Sequence, residues 1–115
     1  MIKNLNCCCC CCLNNNLNMP QRYYIRIKNK GNLCVKYVLQ YNIYCGITTK
    51  EEYVLKGQSR SPFFVENAFN ICLNILNCSF PMTRLIHHTT ITEYRNIAYE
   101  ITGTAIAPSW REVPY

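Results

Sequence analysis

Hydrophobic and polar residues alternate with a period of two in several segments after Pro20. The clearest alternation covers 22–28, where tyrosine and isoleucine face one side and mostly basic residues face the other. The segment 33–41 alternates in the same way, and Gly31, a residue able to take a positive φ, lies in the turn between the two. Alternation of this kind is typical of half-buried strands, so we predict a β-hairpin from these two segments.

The remaining segments also predict strands, because none of them repeats its apolar residues with a helical period. We predict further strands at 50–56, 63–65, 70–78, 85–94 and 97–104. Pairing should stop at Pro108 unless the strand lies at a sheet edge, since proline has no amide hydrogen to donate to a neighbouring strand. About seven short strands at these spacings indicate an all-β fold, a single antiparallel β-sandwich.

The length and the first residues of the chain indicate its domain organisation. A chain of 115 residues has room for one domain, which we place at 21–115. Residues 1–20 are rich in asparagine, leucine and cysteine, including the run Cys7–Cys12, and we predict a disordered, low-complexity tail there. The tail is a poor signal peptide, and no segment is long and apolar enough to span a bilayer. A secreted and a cytoplasmic location therefore both stay open.

The chain has a formal net charge of +6 at pH 7 and contains nine tyrosines. Positive charge can face nucleic acid or an anionic membrane. The basic residues are spread singly along the predicted strands, which favours an ordinary solvated surface. Tyrosines beside Arg22 and Arg26 would suit single-stranded nucleic acid if they were exposed. Aromatic residues on strands more often belong to the core, so we do not favour a nucleic-acid partner.

Four cysteines lie outside the N-terminal run, namely Cys34, Cys45, Cys72 and Cys78. They allow three pairings, among which the sequence cannot choose. None of them belongs to a closely spaced pair of the kind that structural zinc takes, so we expect no metal. Cysteine is among the most buried residue types, and we therefore predict free, buried thiols.

Residues that support catalysis in other proteins are not arranged for it here. His87 and His88 are neighbours, so on a strand they face opposite sides and cannot share a metal. Glu51 and Glu52 point apart for the same reason, which leaves a paired-carboxylate mechanism without support. The sequence contains no glycine-rich phosphate loop. We expect a non-catalytic protein without a cofactor.

Two turns carry apolar residues at predicted strand ends. The first contains Phe80, Pro81 and Met82, with Arg84 after it, and the second contains Ile106. Apolar tips flanked by cations suit shallow insertion into a lipid headgroup layer, and they suit capping of the core equally well. We hypothesise that Phe80, Met82 and Ile106 lie together at one end and contact lipid or an apolar patch of a partner protein. The candidate binding residues are Cys78, Ser79, Phe80, Pro81, Met82, Arg84, Thr104, Ala105 and Ile106.

Five short motifs resemble parts of a known domain. In order, they are KGNLCVKY at 30–37, GQSRS at 57–61, ENAFNICL at 66–73, NCS at 77–79 and TGTAIAP at 102–108. Their order is similar to that in the C-terminal β-sandwich domain of the thiol-activated, cholesterol-dependent cytolysins, and in small stand-alone proteins built from that domain. The resemblance covers roughly residues 23–110 and implies a sandwich that binds membranes through loops at one end.

The resemblance also assigns positions within those loops. Cys78 falls where the family has the cysteine that opens a tryptophan-rich loop, although 79–84 contain no tryptophan. The family's cholesterol-reading threonine–leucine pair falls on Ala105 and Ile106, and alanine lacks the hydroxyl group, so sterol recognition is not implied. The pore-forming domains are not expected in a chain of this length. The alternative is a protein-interaction or structural sandwich that does not bind lipid.

Overall fold

The computed structural model describes residues 20–115, which form nine strands and contain no helix. The strands are β1 (Arg22–Asn29), β2 (Val35–Ile43), β3 (Gly46–Val54), β4 (Ser59–Arg60), β5 (Phe63–Val65), β6 (Phe69–Asn77), β7 (Arg84–Ile91), β8 (Ile97–Gly103) and β9 (Pro108–Val113). The tail predicted at 1–20 lies outside the described residues, apart from Pro20. Within the described part of the chain, no helical segment has the length and apolarity needed to cross a bilayer.

The strands form two sheets that share one core. One sheet has the order β4–β1–β8–β9, with β5 also paired to β1, and the other has the order β3–β2–β6–β7. The strand pairs are antiparallel except β1 with β8, which run parallel. The predicted all-β sandwich is therefore confirmed, with one parallel pair that the alternation of residues does not reveal.

The alternation places one face of each sheet in the core. Ile25 and Ile27 of β1, Leu39 of β2, and Leu73 and Ile75 of β6 have no exposed surface. The positions between them are partly or fully exposed, in agreement with the predicted period of two. Burial of these apolar side chains is the main source of stability, at about 25 cal/mol for each Å² of apolar surface removed from water.

The predicted hairpin of the first two alternating segments is wrong, because β1 and β2 belong to different sheets. The residues after β1 continue alongside β8 and do not reverse at once. The Lys30 amide donates to the Ile101 carbonyl at 2.8 Å, and the Asn32 amide donates to the Gly103 carbonyl at 2.8 Å. The chain then crosses to the other sheet, so that both strands turn their apolar faces toward the same core.

The crossing needs Gly31 for its small size and not for its backbone conformation, because its φ does not lie in the left-handed region. A β-carbon at this position would lie 2.6 Å from Leu33 Cδ2 and 2.9 Å from the Gly103 carbonyl oxygen. Both distances are shorter than a van der Waals contact, so the chain can approach the end of β8 this closely only with glycine.

The C-terminal part of the sandwich also differs from the prediction. Residues 108–113 form β9, which pairs antiparallel with β8 from Gly103↔Pro108 to Ala98↔Val113. Pairing therefore does not stop at Pro108, and of the two possibilities left open for this residue the structure has the edge strand. β9 is an edge strand, and proline is tolerated at the first residue of an edge strand. The two-residue strand β4 was not predicted either, and it shares the edge of β1 with β5.

Apart from the break between β4 and β5, every connection lies at one of two ends of the sandwich. The loop pole, as we call it, holds the turns 30–34, 55–58, 78–83 and 104–107, and the opposite pole holds 44–45, 66–68 and 92–96. The strand register produces this division. Val35, which begins β2, pairs both with Val54 at the end of β3 and with Asn77 at the end of β6.

Candidate functional site

The turns 78–83 and 104–107 both lie at the loop pole and are joined by Asn77. The side-chain amide of Asn77 donates to the Ala105 carbonyl at 2.8 Å, and its side-chain oxygen accepts from the Ser79 amide at 3.1 Å. Asn77 is 2% exposed. Because a buried polar group that loses its partners is costly, these two bonds hold the turns in one arrangement.

The turn 30–34 is tied to both of them. The Cys34 amide donates to Ser79 Oγ at 2.8 Å, and the Cys78 amide donates to the Cys34 carbonyl at 2.8 Å. On its other side, Asn32 forms an isolated parallel bridge with Thr104. Cys78, Ser79 and Thr104, which the sequence placed among the binding residues, therefore have partners that shape the pole.

Asn29 holds the remaining turn from inside the core. Its side-chain amide donates to the Leu33 carbonyl at 2.8 Å and to the Val54 carbonyl at 2.9 Å, and its side-chain oxygen accepts from the Gly31 amide at 3.0 Å. The Asn29 main chain also accepts from Gly57 at 2.8 Å. One side chain thus links the crossing after β1 to the end of β3 in the other sheet.

Asn29 and Asn77 are the two buried polar side chains among the described residues, and sequence reasoning missed both. The alternation of residues could have revealed both asparagines. Asn29 follows Ile25 and Ile27 in the inward register, and Asn77 follows Leu73 and Ile75. An amide in a register that is otherwise apolar indicates a buried hydrogen-bonding role, because burial without partners is unfavourable.

The tips of the two apolar turns are exposed. Ile106 is 88% exposed, Met82 is 73% exposed and Phe80 is 37% exposed. Pro81 is also exposed, whereas Ala105 packs against the core. Large apolar side chains gathered at one end of a domain often mark a binding surface.

Two further predicted residues shape these tips. Thr104 Oγ1 accepts from the Ala107 amide at 3.2 Å, and the Thr104 amide donates to the Ala107 carbonyl at 3.3 Å, which closes the turn that carries Ile106. The Arg84 guanidinium lies 5.6 Å from the centre of the Phe80 ring. A cation at this distance from an aromatic face is attracted to it, so positive charge accompanies the apolar tip.

The loop pole carries cations and no carboxylate. Lys30, Lys56 and Arg84 lie in or directly after its turns, and these turns contain no aspartate or glutamate. Lys30 Nζ is 3.5 Å from Oε2 of Glu100 on β8, so part of its charge is balanced from the side of the domain. The surface at this end is therefore positively charged.

His87 belongs to β7, an edge strand of one sheet, and its ring packs against β9, an edge strand of the other sheet. Its ring stacks on Trp110 with centroids 3.6 Å apart and lies 5.3 Å from the ring of Tyr99. Burial lowers the pKa of His87, and the neighbouring His88 lowers it further. His88 faces the other side of β7, where its Nδ1 contacts Asn74 Oδ1. The two histidines thus point apart, and His87 packs as an aromatic ring.

The thiols differ from the prediction in burial. Cys34, Cys72 and Cys78 are free, as predicted, but each is half-buried, and Cys45 is not a free thiol. The three free thiols occupy the outward register of β2 and β6, alternating with buried residues, which explains their partial exposure. Among residues 20–115, no three His, Cys, Asp or Glu side chains are grouped closely enough to hold a metal ion.

Three of the tyrosines considered for base stacking belong to the core or its margin. Tyr37 is 2% exposed and Tyr41 is 4% exposed, so neither can stack on a base. Tyr23 stacks on Phe64 with centroids 5.6 Å apart and on Tyr94 with centroids 5.5 Å apart. These rings belong to the core and its margin.

No protein-family profile and no curated protein matches the chain in sequence. Solved structures do match its fold. The membrane-binding domain of pneumolysin has a TM-score of 0.67 at 15% identity, and the match covers 83% of this chain and 98% of that one. Suilysin from Streptococcus suis has a TM-score of 0.63 at 14% identity. Listeriolysin O has a TM-score of 0.63 at 15% identity.

The chain therefore has the fold of the C-terminal, membrane-binding domain of the cholesterol-dependent cytolysins, and the resemblance carried by the five motifs is confirmed at the level of the fold. At these identities the likeness concerns the fold alone. The match covers 24% of suilysin and 23% of listeriolysin O, so this chain corresponds to about a quarter of either toxin.

Proposed function

We propose that this chain is a non-catalytic binding module that attaches reversibly to lipid through the loop pole. The observation that carries the proposal is the Asn77 bridge between two turns, whose tips expose Phe80, Met82 and Ile106 at the same end. The likeness to a solved domain described as membrane-binding supports a lipid partner. Pore formation by the chain alone is not proposed, because it matches only about a quarter of the toxins.

The expected strength of attachment follows from the side chains available. Complete burial of a Phe, Met or Ile side chain contributes about 1.5–3 kcal/mol. Phe80 is already largely covered, so Met82 and Ile106 provide most of the gain. Association also costs translational and rotational freedom, so we expect weak, reversible binding.

The cations of the loop pole add a contribution that depends on the lipid. A basic residue close to an anionic leaflet contributes about 1 kcal/mol. Neither Lys56 nor Arg84 forms an ion pair with another described residue, so both can meet headgroup phosphates. We therefore expect tighter binding to vesicles that contain phosphatidylserine, and weaker binding as salt is raised.

Sterol recognition is not part of the proposal. Ala105 packs against the core, offers no hydroxyl group and uses its carbonyl to accept from Asn77. Ile106 is then the one large apolar side chain exposed at this turn. We expect apolar insertion without a polar contact to a sterol, so cholesterol should change the affinity less than phosphatidylserine does.

Co-sedimentation with liposomes tests the proposal. The chain is incubated with vesicles of phosphatidylcholine, with or without phosphatidylserine and cholesterol. Ile106→Asp should reduce vesicle binding roughly tenfold or more, because about 1.4 kcal/mol corresponds to a factor of ten, and Phe80→Asp should reduce it by a smaller factor, because Phe80 is already largely covered. The matched controls are Ile47→Asp and Phe69→Asp, which alter exposed residues near the opposite pole and should change binding less than twofold.

Unchanged binding of Ile106→Asp and Phe80→Asp would contradict the proposal. The alternative of a protein-interaction module has one observation in its favour. Ile47 is 66% exposed and Phe69 is 52% exposed, and both pair with Asn42 on one sheet. Capture of a stoichiometric protein partner that depends on Ile47 and Phe69, without vesicle binding, would support that alternative instead.

A further inference from the structure

Two free thiols face each other at the loop pole. The register of β2 and β6 pairs Val35 with Asn77, and one step further along both chains brings Cys34 opposite Cys78. The Cys78 amide donates to the Cys34 carbonyl at 2.8 Å, so one of the two backbone bonds of this next pair is present, while the Cys34 amide donates to Ser79 Oγ. Both residues lie in the outward register, since Val35 and Asn77 point into the core.

The usual spacing of antiparallel strands is compatible with a disulfide between these two positions. Residues directly opposite in a hydrogen-bonded antiparallel pair have Cα atoms about 5.5 Å apart. Disulfides form across Cα separations of about 4.4–6.8 Å. Both cysteines lie just outside the ends of their strands, where the backbone can adjust more readily than in the middle of a sheet.

The electrostatics of the two groups agree with this proximity. Burial raises the pKa of Cys34, and the neighbouring Cys78 raises it further, because a second thiolate is disfavoured beside the first. Lys36, the next outward residue of β2, forms a salt bridge in which its Nζ lies 2.7 Å from Glu51 Oε1. Cys72 lies on the same face of β6 but six residues from Cys78, about 20 Å along the strand, and cannot take its place.

We propose that Cys34 and Cys78 form a redox-active dithiol that closes to an intramolecular disulfide and links the turns 30–34 and 78–83. The oxidant is a small-molecule disulfide such as oxidised glutathione. One protein thiolate attacks the glutathione disulfide, forms a mixed disulfide and releases one glutathione thiol. The second protein thiolate attacks the protein sulfur of that mixed disulfide and releases the second glutathione thiol. Two electrons pass from the protein to glutathione, and the two protein protons end on its thiols.

The proposal does not depend on lipid binding. A bond between Cys34 and Cys78 acts on the base of the turns and leaves Ile106, the most exposed tip, untouched. It places a reversible covalent link where Cys34 already holds the other turn through the Ser79 hydroxyl.

Peptide mapping of the full chain tests the proposal. The folded protein is treated with oxidised glutathione, alkylated, digested without reduction and analysed by tandem mass spectrometry. We expect a peptide pair joined through Cys34 and Cys78, two mass units lighter than the sum of its reduced peptides, which disappears after reduction. Cys72→Ser should keep this link. Cys34→Ser should instead carry glutathione on Cys78.

A thermal unfolding scan supplies a second readout. The oxidised wild-type protein should unfold several degrees above the reduced protein, and this difference should vanish in Cys34→Ser. Glutathione adducts on Cys34 and Cys78 in the wild-type protein, without a link between them, would overturn the proposal. A link from either residue to Cys72 would overturn it as well.

Discussion

The two ends of the sandwich differ in how their turns are held. At the loop pole, the turns are fixed from inside by Asn29 and Asn77, the two buried polar side chains in the described part of the chain. At the opposite pole, the Tyr94 hydroxyl donates to the Ala68 carbonyl at 2.8 Å in a partly buried bond between two turns, and other contacts lie on the surface. Arg95 contacts Glu93 at 3.0 Å and Glu112 at 2.9 Å, and all three side chains are exposed.

Apolar exposure alone does not distinguish the two ends. Ile47 and Phe69 are exposed within strands near the opposite pole, and Tyr44, on the turn 44–45, is 81% exposed. Exposed ion pairs contribute about 0–1 kcal/mol, while buried amide hydrogen bonds are costly to lose. The difference indicates that the loop pole is built to present its turns in one arrangement.

The largest effect is expected from Asn29→Leu. The substitution keeps the branching and the number of side-chain heavy atoms and leaves the Leu33 carbonyl, the Val54 carbonyl and the Gly31 amide without their partner. Each buried group left unsatisfied costs about 1–3 kcal/mol, and partial relaxation is expected, so the free energy of unfolding should fall by about 3 kcal/mol. Urea denaturation followed by circular dichroism measures this change.

The control for Asn29→Leu is Asn74→Leu. Asn74 is half-buried on the outward face and contacts only the His88 ring through its side chain among the described hydrogen bonds. Its loss should reduce the free energy of unfolding by less than about 1 kcal/mol. Equal losses for the two variants would contradict the structural role assigned to Asn29.

A smaller effect is expected from Asn77→Leu, which removes the bonds to the Ala105 carbonyl and the Ser79 amide. The free energy of unfolding should fall by about 2 kcal/mol in urea denaturation. Vesicle binding should also weaken, although both apolar tips are retained, because the two turns are no longer held together. A variant that loses stability but keeps full vesicle binding would show that the bridge does not position the tips.

The smallest effect concerns pH and His87. The pKa of His87 in the folded state is lowered by burial and by His88, while Glu112 raises it. The unfolded chain therefore binds a proton to this residue before the folded chain does, and stability should fall as the pH decreases from about 7.5 through the unfolded value near 6.5. His87→Phe keeps the ring stacked on Trp110 and removes the titration.

The comparison of His87→Phe with the wild-type chain isolates this contribution, since every other titrating group is shared. Urea midpoints at pH 7.5 and pH 5.5 should differ less for the variant than for the wild-type chain. A difference of the same size in both proteins would show that His87 does not contribute to the pH dependence.

The alternation of residues was sufficient to predict seven of the nine strands and the all-β class, because burial on one face imposes a period of two on each strand separately. It could not predict which sheet a strand joins. The segments around β1 and β2 are both apolar on one face, and that pattern fits a hairpin as well as two strands facing across a core. The contacts of Lys30 and Asn32 with β8, which decide between these arrangements, are distant in sequence.

The candidate site was predictable in part for a similar reason. The apolar tips Phe80, Met82 and Ile106 are visible as large residues at strand ends. The bridge that brings them to one end depends on Asn77 meeting a carbonyl 28 residues away. No local sequence pattern predicts this long-range hydrogen bond, although an asparagine in an otherwise apolar register indicates that a buried partner exists.

Hydrogen–deuterium exchange of the full chain, with and without vesicles of phosphatidylcholine and phosphatidylserine, tests most directly whether one end meets lipid. The turns 78–83 and 104–107 should exchange more slowly when vesicles are present, because their amides leave contact with water. The turns 66–68 and 92–96 should exchange at the same rate in both samples. Protection confined to the opposite pole, equal protection at both poles, or no protection at all would contradict the account.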